Sequence, residues 1–205
     1  LYLSVGDMSH WNVRSQEMDK IEGKIHRLAV AGDEVEIPDD NPFPGSSVWA
    51  YGIRNAYSFV FDPLSGHLFA TGNGPDCDDS VMWIEPGDNF GWGQIEMSGD
   101  DKTYCDNPDR LKDAKPALIS YTPTIAPTGI IIYQGDAFPD WQGDLFFCAF
   151  KPMQMFHVEL NEARNAFDGE PTPVDTGSTM GCAIEVSVGP DGLIYLLTDA
   201  ANGQI

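Results

Sequence analysis

From Val48 to Trp92 apolar and polar positions alternate with a period of two, broken at intervals by glycine and proline. Tyr57, Phe59 and Phe61 form one run, Asp62, Pro63 and Gly66 a turn, and Leu68, Phe69 and Ala70 a second run. An acidic Gly-Pro loop from Gly72 to Asp79 leads to a third run, Val81 to Ile84, and Phe90-Gly91-Trp92 closes the stretch. Successive side chains of a strand leave opposite faces of its sheet, so this alternation predicts strands with one buried face. The pair Arg54-Asn55 and the loop Gly74-Pro75-Asp76 fall where runs end, which is where sheet proteins place chemistry.

The pattern continues on both sides. Leu1 to Val5 predicts a strand ending at Gly6-Asp7. Residues 8–20, with Met8, Trp11 and Met18 spread among polar positions, read as a loop or short helix. Lys24 to Val30 predicts a further strand, and Gly32 to Gly45 an Asp- and Pro-rich loop. Residues 93–115 form a long acidic insertion, and a segment as poor in apolar side chains as 98–109 needs a bridge or an ion to stay ordered. Short apolar runs follow at 118–121, 129–133, 144–150, 153–160, 183–188 and 193–198, with a hairpin-like polar stretch at 161–165.

A weak repeat underlies these runs. The strand, Pro-Gly turn and aromatic strand of residues 61–69 return at 188–195, and residues 1–5 and 143–147 match the second strand of that unit. Such repetition predicts an all-β fold of small antiparallel sheets arranged radially, a β-propeller, with a two-sheet sandwich as the alternative. Leu1 already lies inside an apolar run and Gly203-Gln204-Ile205 reads as the start of a new strand, so residues 1–205 read as one domain that is part of a longer protein.

Composition narrows the functions. Apolar residues make up 42% of the 205, which suits a globular chain, and 21 glycines with 15 prolines favour turns over long helices. A net charge of −21 argues against nucleic acid and against anionic membrane surfaces. No apolar run reaches the length of a membrane span. No Gly-x-Ser-x-Gly elbow, phosphate loop or dinucleotide glycine pattern occurs, so hydrolase and nicotinamide chemistry recede. Of the four cysteines, Cys77 and Cys105 lie in polar loops and are expected to form a disulfide worth roughly 3 kcal/mol, which implies an oxidising compartment. Cys148, in the apolar run DLFFCAF, reads as a small buried hydrophobe, and Cys182 as either.

Several residues are candidates for chemistry. Arg54 offers a planar fork to a carboxylate or quinone oxygen, and Asn55 adds a donor and an acceptor. Asp76, Asp78 and Asp79 read as a solvated acidic turn or as ligands for a hard cation. Lys151 meets an anionic ligand or extends into water. His10, His26, His67 and His157 are scattered without metal-ligand spacing, and His67 is expected to be exposed in its turn.

Residues 51–93, together with 126–151 and 188–199, resemble the soluble glucose/sorbosone dehydrogenases, aldose dehydrogenases that use pyrroloquinoline quinone (PQQ). The resemblance implies a six-bladed propeller, of which this chain supplies about three to four blades, and a periplasmic or extracellular sugar dehydrogenase. It assigns Arg54 and Asn55 to the quinone, with Arg54 the catalytic candidate in this stretch, and places Lys151 near the quinone carboxylates. The carbonyls of Gly74 and Pro75 correspond to ligands of an active-site calcium, and Asp79 to an acidic residue at a second calcium. It implies a small-molecule sugar substrate, with calcium as Lewis acid, a histidine as base and the quinone as hydride acceptor. That histidine's motif lies upstream of Leu1 in the family pattern. Two further differences stand out: Cys182 and Ile184 occupy positions of family arginines that bind quinone carboxylates, and Ser80 stands where glutamate is frequent. These differences support a second expectation, a calcium-stabilised propeller without redox chemistry. A metal-dependent lactonase-like propeller is a third.

Overall fold

The computed structural model describes residues 1–8, 13–95, 101–177 and 181–198, with backbone only at 101 and 102. His10, Trp11 and the closing run at 203–205 lie outside the described residues. The first sheet is β1 (Tyr2–Val5), β2 (Lys24–Arg27) and β5 (Val48–Tyr51), with a hairpin of β3 (Ala29–Ala31) and β4 (Glu34–Glu36) between its last two strands. The second runs in chain order through β6 (Ala56–Phe61), β7 (Leu68–Gly72), β8 (Asp79–Ile84) and β9 (Ile119–Tyr121). The third comprises β10 (Pro127–Ile132), β11 (Leu145–Ala149), β12 (Gln154–Val158) and β13 (Thr172–Pro173). β14 (Glu185–Val188) and β15 (Ile194–Leu197) begin a fourth. All pairings within these sheets are antiparallel.

The side-chain alternation explains how the sheets stack. On β7, Leu68 and Ala70 enter a core shared with Ile25 and Ala50 of the first sheet, whereas Phe69 between them enters a core shared with Ile130 and Phe147 of the third. On β11, Leu145 and Phe147 face the second sheet, and Phe146 and Cys148 pack with Cys182 and Val186 at the fourth. Each of these strands is buried along its whole length because its two faces serve two different cores. The first strands of successive sheets, β6, β10 and β14, pack beside one another. Sheets that pack face to face in chain order, with their first strands side by side, are the blades of a propeller, and the chain forms a partial one.

The structure departs from the sequence reading in several places, first in that β7 is buried on both faces where one buried face was expected. The strand expected over Lys24–Val30 divides after Arg27, and the expected loop over Gly32–Gly45 contains β4. A two-residue turn at Gly32-Asp33, with Gly32 at φ 65°, joins β3 to β4. Val30 and Val35 pair there on an exposed hairpin, so no burial pattern marked it. Cys148 is not a free hydrophobe but bonds to Cys182, and the expected Cys77–Cys105 bridge is present. His67 is half-buried, its Nδ1 2.8 Å from the Arg164 carbonyl oxygen and its ring tilted against Trp83.

Polar staples tie the blades together at the end away from Arg54. Asp62 is fully buried and accepts two hydrogen bonds from Arg164 of the third blade, at 2.5 and 3.0 Å, and one from Ser65. Burial raises its carboxyl, but these donors outweigh burial and hold it below the usual aspartate range. Asp62→Ala leaves the Arg164 guanidinium without its carboxylate and is expected to cost about 3–5 kcal/mol. Urea denaturation measures this, and a loss under about 1 kcal/mol would place the pair among surface-type ion pairs.

In the first blade Lys24 is 1% exposed, with Nζ donating to the carbonyls of Arg14 and Glu22 at 2.8 and 2.7 Å. Burial pushes its ammonium down to about 8. An unfolded lysine stays protonated to about pH 10.4, so above pH 8 the unfolded chain binds the extra proton. The contribution of Lys24 to stability therefore grows as pH rises from about 8 to about 10.4. The stability difference between the parent and Lys24→Met, followed by denaturation across that range, is expected to climb in favour of the parent. A flat difference contradicts the assignment.

Candidate functional site

Three loops meet at the opposite end of the sheets: Gly52–Asn55 before β6, Asn73–Asp78 after β7, and Thr122–Ala126 before β10. Gly52 sits at φ 68°, and a Cβ there would lie 2.1 Å from Asn89 Oδ1, so only glycine lets the chain turn this tightly into Arg54. Hydrogen bonds then pass from loop to loop. Asp7 N–H donates to the Arg54 carbonyl at 2.8 Å, Asn73 N–H to the Asn55 carbonyl at 2.9 Å, and Asn73 Nδ2 to the Pro127 carbonyl at 2.8 Å. Asn55 Nδ2 donates to Asn73 Oδ1 at 3.2 Å.

Asp79 anchors this arrangement. It is 1% exposed, and its carboxylate accepts the Gly74 amide at 2.9 Å and the Ala126 amide at 2.6 Å. Burial raises its carboxyl above the usual aspartate range, against the pull of the amides of Ala126, Gly74 and Ile125 and the Lys151 charge. A Cβ on Gly74 would lie 1.8 Å from the Cys77 carbonyl oxygen, so glycine is required for the loop to close on itself. The Gly74 and Pro75 carbonyls accept no hydrogen bond from a described residue, a donor set suited to a hard cation. The solvated turn expected at Asp76–Asp79 survives only at Asp76, which is exposed. Asp78 holds φ 61° and pairs through both oxygens with Arg110, at 2.6 and 3.0 Å.

Arg54, Asn55, Gly74 and Pro75 border one cleft of about 270 Å³. Its other walls are Ser80 and Met82 of β8, Phe90 and Trp92, and Tyr104, Leu111 and Lys115 from the insertion. The Arg54 guanidinium lies 5.8 Å from the centre of the Trp92 ring and donates one long hydrogen bond, 3.4 Å, to the Asn73 carbonyl. The bridge expected to order the insertion does so, since Cys77 packs with Trp92 and Tyr104 and α1 (Asp101–Cys105) carries its partner. Lys151 is absent from the cleft wall. It is exposed one loop away, its Nζ bonded to Thr124 Oγ1 and its amide donating to the Ile125 carbonyl at 3.1 Å.

The sequence reading missed Asn73 and Thr124. Asn73 directly precedes Gly74-Pro75, and Thr124 lies between two prolines, so position beside turn residues was their only signal. Cys182 is fully buried and bonded to Cys148, and Ile184 is half-buried, so neither position supplies a cation to the loops.

Blades stacked in chain order, with an arginine, amides and bare carbonyls gathered at one end, make the chain part of a β-propeller whose polar loops meet at a single cleft. The profile of the Glucose / Sorbosone dehydrogenase family matches residues 1–205, and the chain belongs to that family. It is 30% identical over 218 residues to aldose sugar dehydrogenase YliI of Escherichia coli, covering 100% of this chain and 55% of that protein. It is 34% identical over 192 residues to the uncharacterized protein slr1608 of Synechocystis, covering 89% of this chain and 44% of the relative. The PQQ-bound aldose sugar dehydrogenase of Streptomyces coelicolor superposes with a TM-score of 0.72 at 26% identity, over 96% of this chain and 52% of its own. The chain thus spans about half the length of these relatives.

Asp79→Ala removes the acceptor for two loop amides and is expected to cost about 2–3 kcal/mol. Amide hydrogen exchange should rise at Gly74 and Ala126 first, and exchange rising equally across all blades would contradict a local anchoring role.

Proposed function

We propose that the protein, as part of a longer propeller, oxidises a hydroxyl-bearing carbon of an aldose or related polyol with PQQ and calcium. The observation that carries this reading is that Arg54-Asn55 and Gly74-Pro75, distant in sequence, border one cleft in a member of this family. Arg54, Asn55 and Lys151 would hold the quinone, and the carbonyls of Gly74 and Pro75 the calcium. Bound there, the quinone supplies a two-electron acceptor and calcium a Lewis acid. The Arg54 guanidinium presents N–H donors that its single long bond leaves for an anionic or carbonyl oxygen. Lys151, outside the cleft wall, adds a positive charge at the edge of the site. Asp79 is assigned to positioning the Gly74–Pro75 carbonyls, since both its oxygens are engaged by amides. Two disulfides support a periplasmic or extracellular location.

One observation favours a second reading. Cys182 is locked in a disulfide and Ile184 is apolar, which removes two cations from the anion-binding set implied by the family pattern. On that reading the propeller binds calcium for stability and carries no redox chemistry.

The two readings separate in a thermal-shift titration followed by dye-linked oxidation of a sugar panel. PQQ with calcium is expected to raise Tm, and Arg54→Ala to weaken quinone binding about tenfold or more. Stabilisation by calcium alone, with no quinone response and no sugar oxidation, would select the second reading.

A further inference from the structure

We propose that Asn73-Gly74 is a self-modification site, at which the asparagine converts to aspartate and isoaspartate, and that the Asp79 carboxylate keeps this reaction in check. The inference goes beyond the oxidation reading and does not depend on it. Two Asn-Gly pairs occur in the chain, and the other, Asn202-Gly203, lies outside the described residues. Asparagine is a thermolabile residue, and a glycine after it leaves the attacking nitrogen unshielded by any side chain. The Gly74 nitrogen gives up its proton and bonds to Asn73 Cγ, and Nδ2 takes up a proton and leaves as ammonia. Water then opens the cyclic imide at either of its carbonyls, giving aspartate or isoaspartate. No oxidant or reductant is needed, and Asn73 borders a cleft large enough to admit water.

The fold hinders the first step from both sides. Gly74 N–H donates to Asp79 Oδ1 at 2.9 Å, so its nitrogen must leave that bond before it can attack. The attacking form is the deprotonated amide, and a carboxylate this close disfavours a second negative charge. The Asn73 side chain is clamped as well. Its Nδ2 donates to the Pro127 carbonyl at 2.8 Å, and its Oδ1 accepts from Asn55 Nδ2 at 3.2 Å. Its own N–H and carbonyl are engaged by the Asn55 carbonyl and the Arg54 guanidinium. The reaction therefore runs through local opening of the Asn73–Asp78 loop. Its products do not suit the place where they form. A carboxylate at position 73 cannot donate to the Pro127 carbonyl and sets two acceptors face to face. Isoaspartate adds a carbon to the main chain beside Gly74, where even a Cβ would lie 1.8 Å from the Cys77 carbonyl oxygen. Conversion thus removes a tie between the second and third blades and holds the loop open.

The test incubates the purified protein in mildly alkaline buffer, folded and in urea. Peptide mass mapping follows Asn73, and enzymatic methylation scores isoaspartate. Conversion in the folded chain is expected to be at least about a hundredfold slower than in urea. Asp79→Ala is expected to speed conversion in the folded chain about tenfold or more. Asn55→Ala frees Asn73 Oδ1 while leaving the Asp79 carboxylate in place, and is expected to speed it about threefold, which covers a folding defect in the first variant. Asn73→Asp installs one product directly, and amide hydrogen exchange at Gly74 and Ala126 is expected to rise above the parent's. No conversion at Asn73 in urea, or equal rates in the folded and unfolded chain, overturns the proposal. So does a folded Asp79→Ala that converts no faster than the parent, or, where that variant does not fold, an Asn55→Ala that converts no faster. Parental exchange in Asn73→Asp overturns the claim that conversion opens the loop.

Discussion

One buried carboxylate holds the functional end of this protein together. Asp79 starts β8 in the second blade, yet its two oxygens accept amides from the loop ahead of it and from the loop that opens the third blade. A buried anion is tolerated only when its lone pairs are filled. Here the donors are main-chain amides that have no strand partner, so each side satisfies the other. Gly74, and Ala126 at φ 52°, are thereby tied to one carboxylate, and Lys151 bonds to Thr124 in the same loop as Ala126.

The two ends of the blades are built differently. Away from the site, side-chain ion pairs such as Asp62 with Arg164 staple neighbours, and Tyr133 donates to the Gly192 carbonyl at 2.6 Å. At the site, the links are mostly main-chain groups and asparagine amides, with Asn73 reaching the second blade's own entry loop and the third blade. Cationic side chains are scarce in a chain with 11 lysines and arginines against 32 acids. Ion pairs occupy most of those whose surroundings are described, and Arg54, facing an aromatic ring, is the exception beside the cleft.

Much of the fold was readable because the physics that selects it leaves a period-two trace. β7 and β11 divide odd and even side chains between two cores, so the apolar runs Leu68–Ala70 and 144–150 marked them. The hairpin of β3 and β4 left no trace because neither face is buried. Arg54-Asn55 and Gly74-Pro75 stood out through their turns. Asp78 and Asp79 were misjudged because an acid's partners, here Arg110 and distant amides, are invisible to local pattern. Cys148 looked like a core residue and is one; only the fold shows that Cys182 packs into the same core.

Gly72 of β7, Ser80 of β8 and Ser120 of β9 pair in one row that borders the cleft, and this row has a consequence for how such proteins diversify. It runs across the strands, so exchanging any of its side chains leaves every rung of the backbone ladder intact. The depth of the recess is therefore decoupled from the architecture that encloses it. At Ser80 and Ser120 a lineage can therefore alter the shape of the recess without touching the strand pairing that encloses it, whereas a side chain at Gly72 would first need Met82 to move.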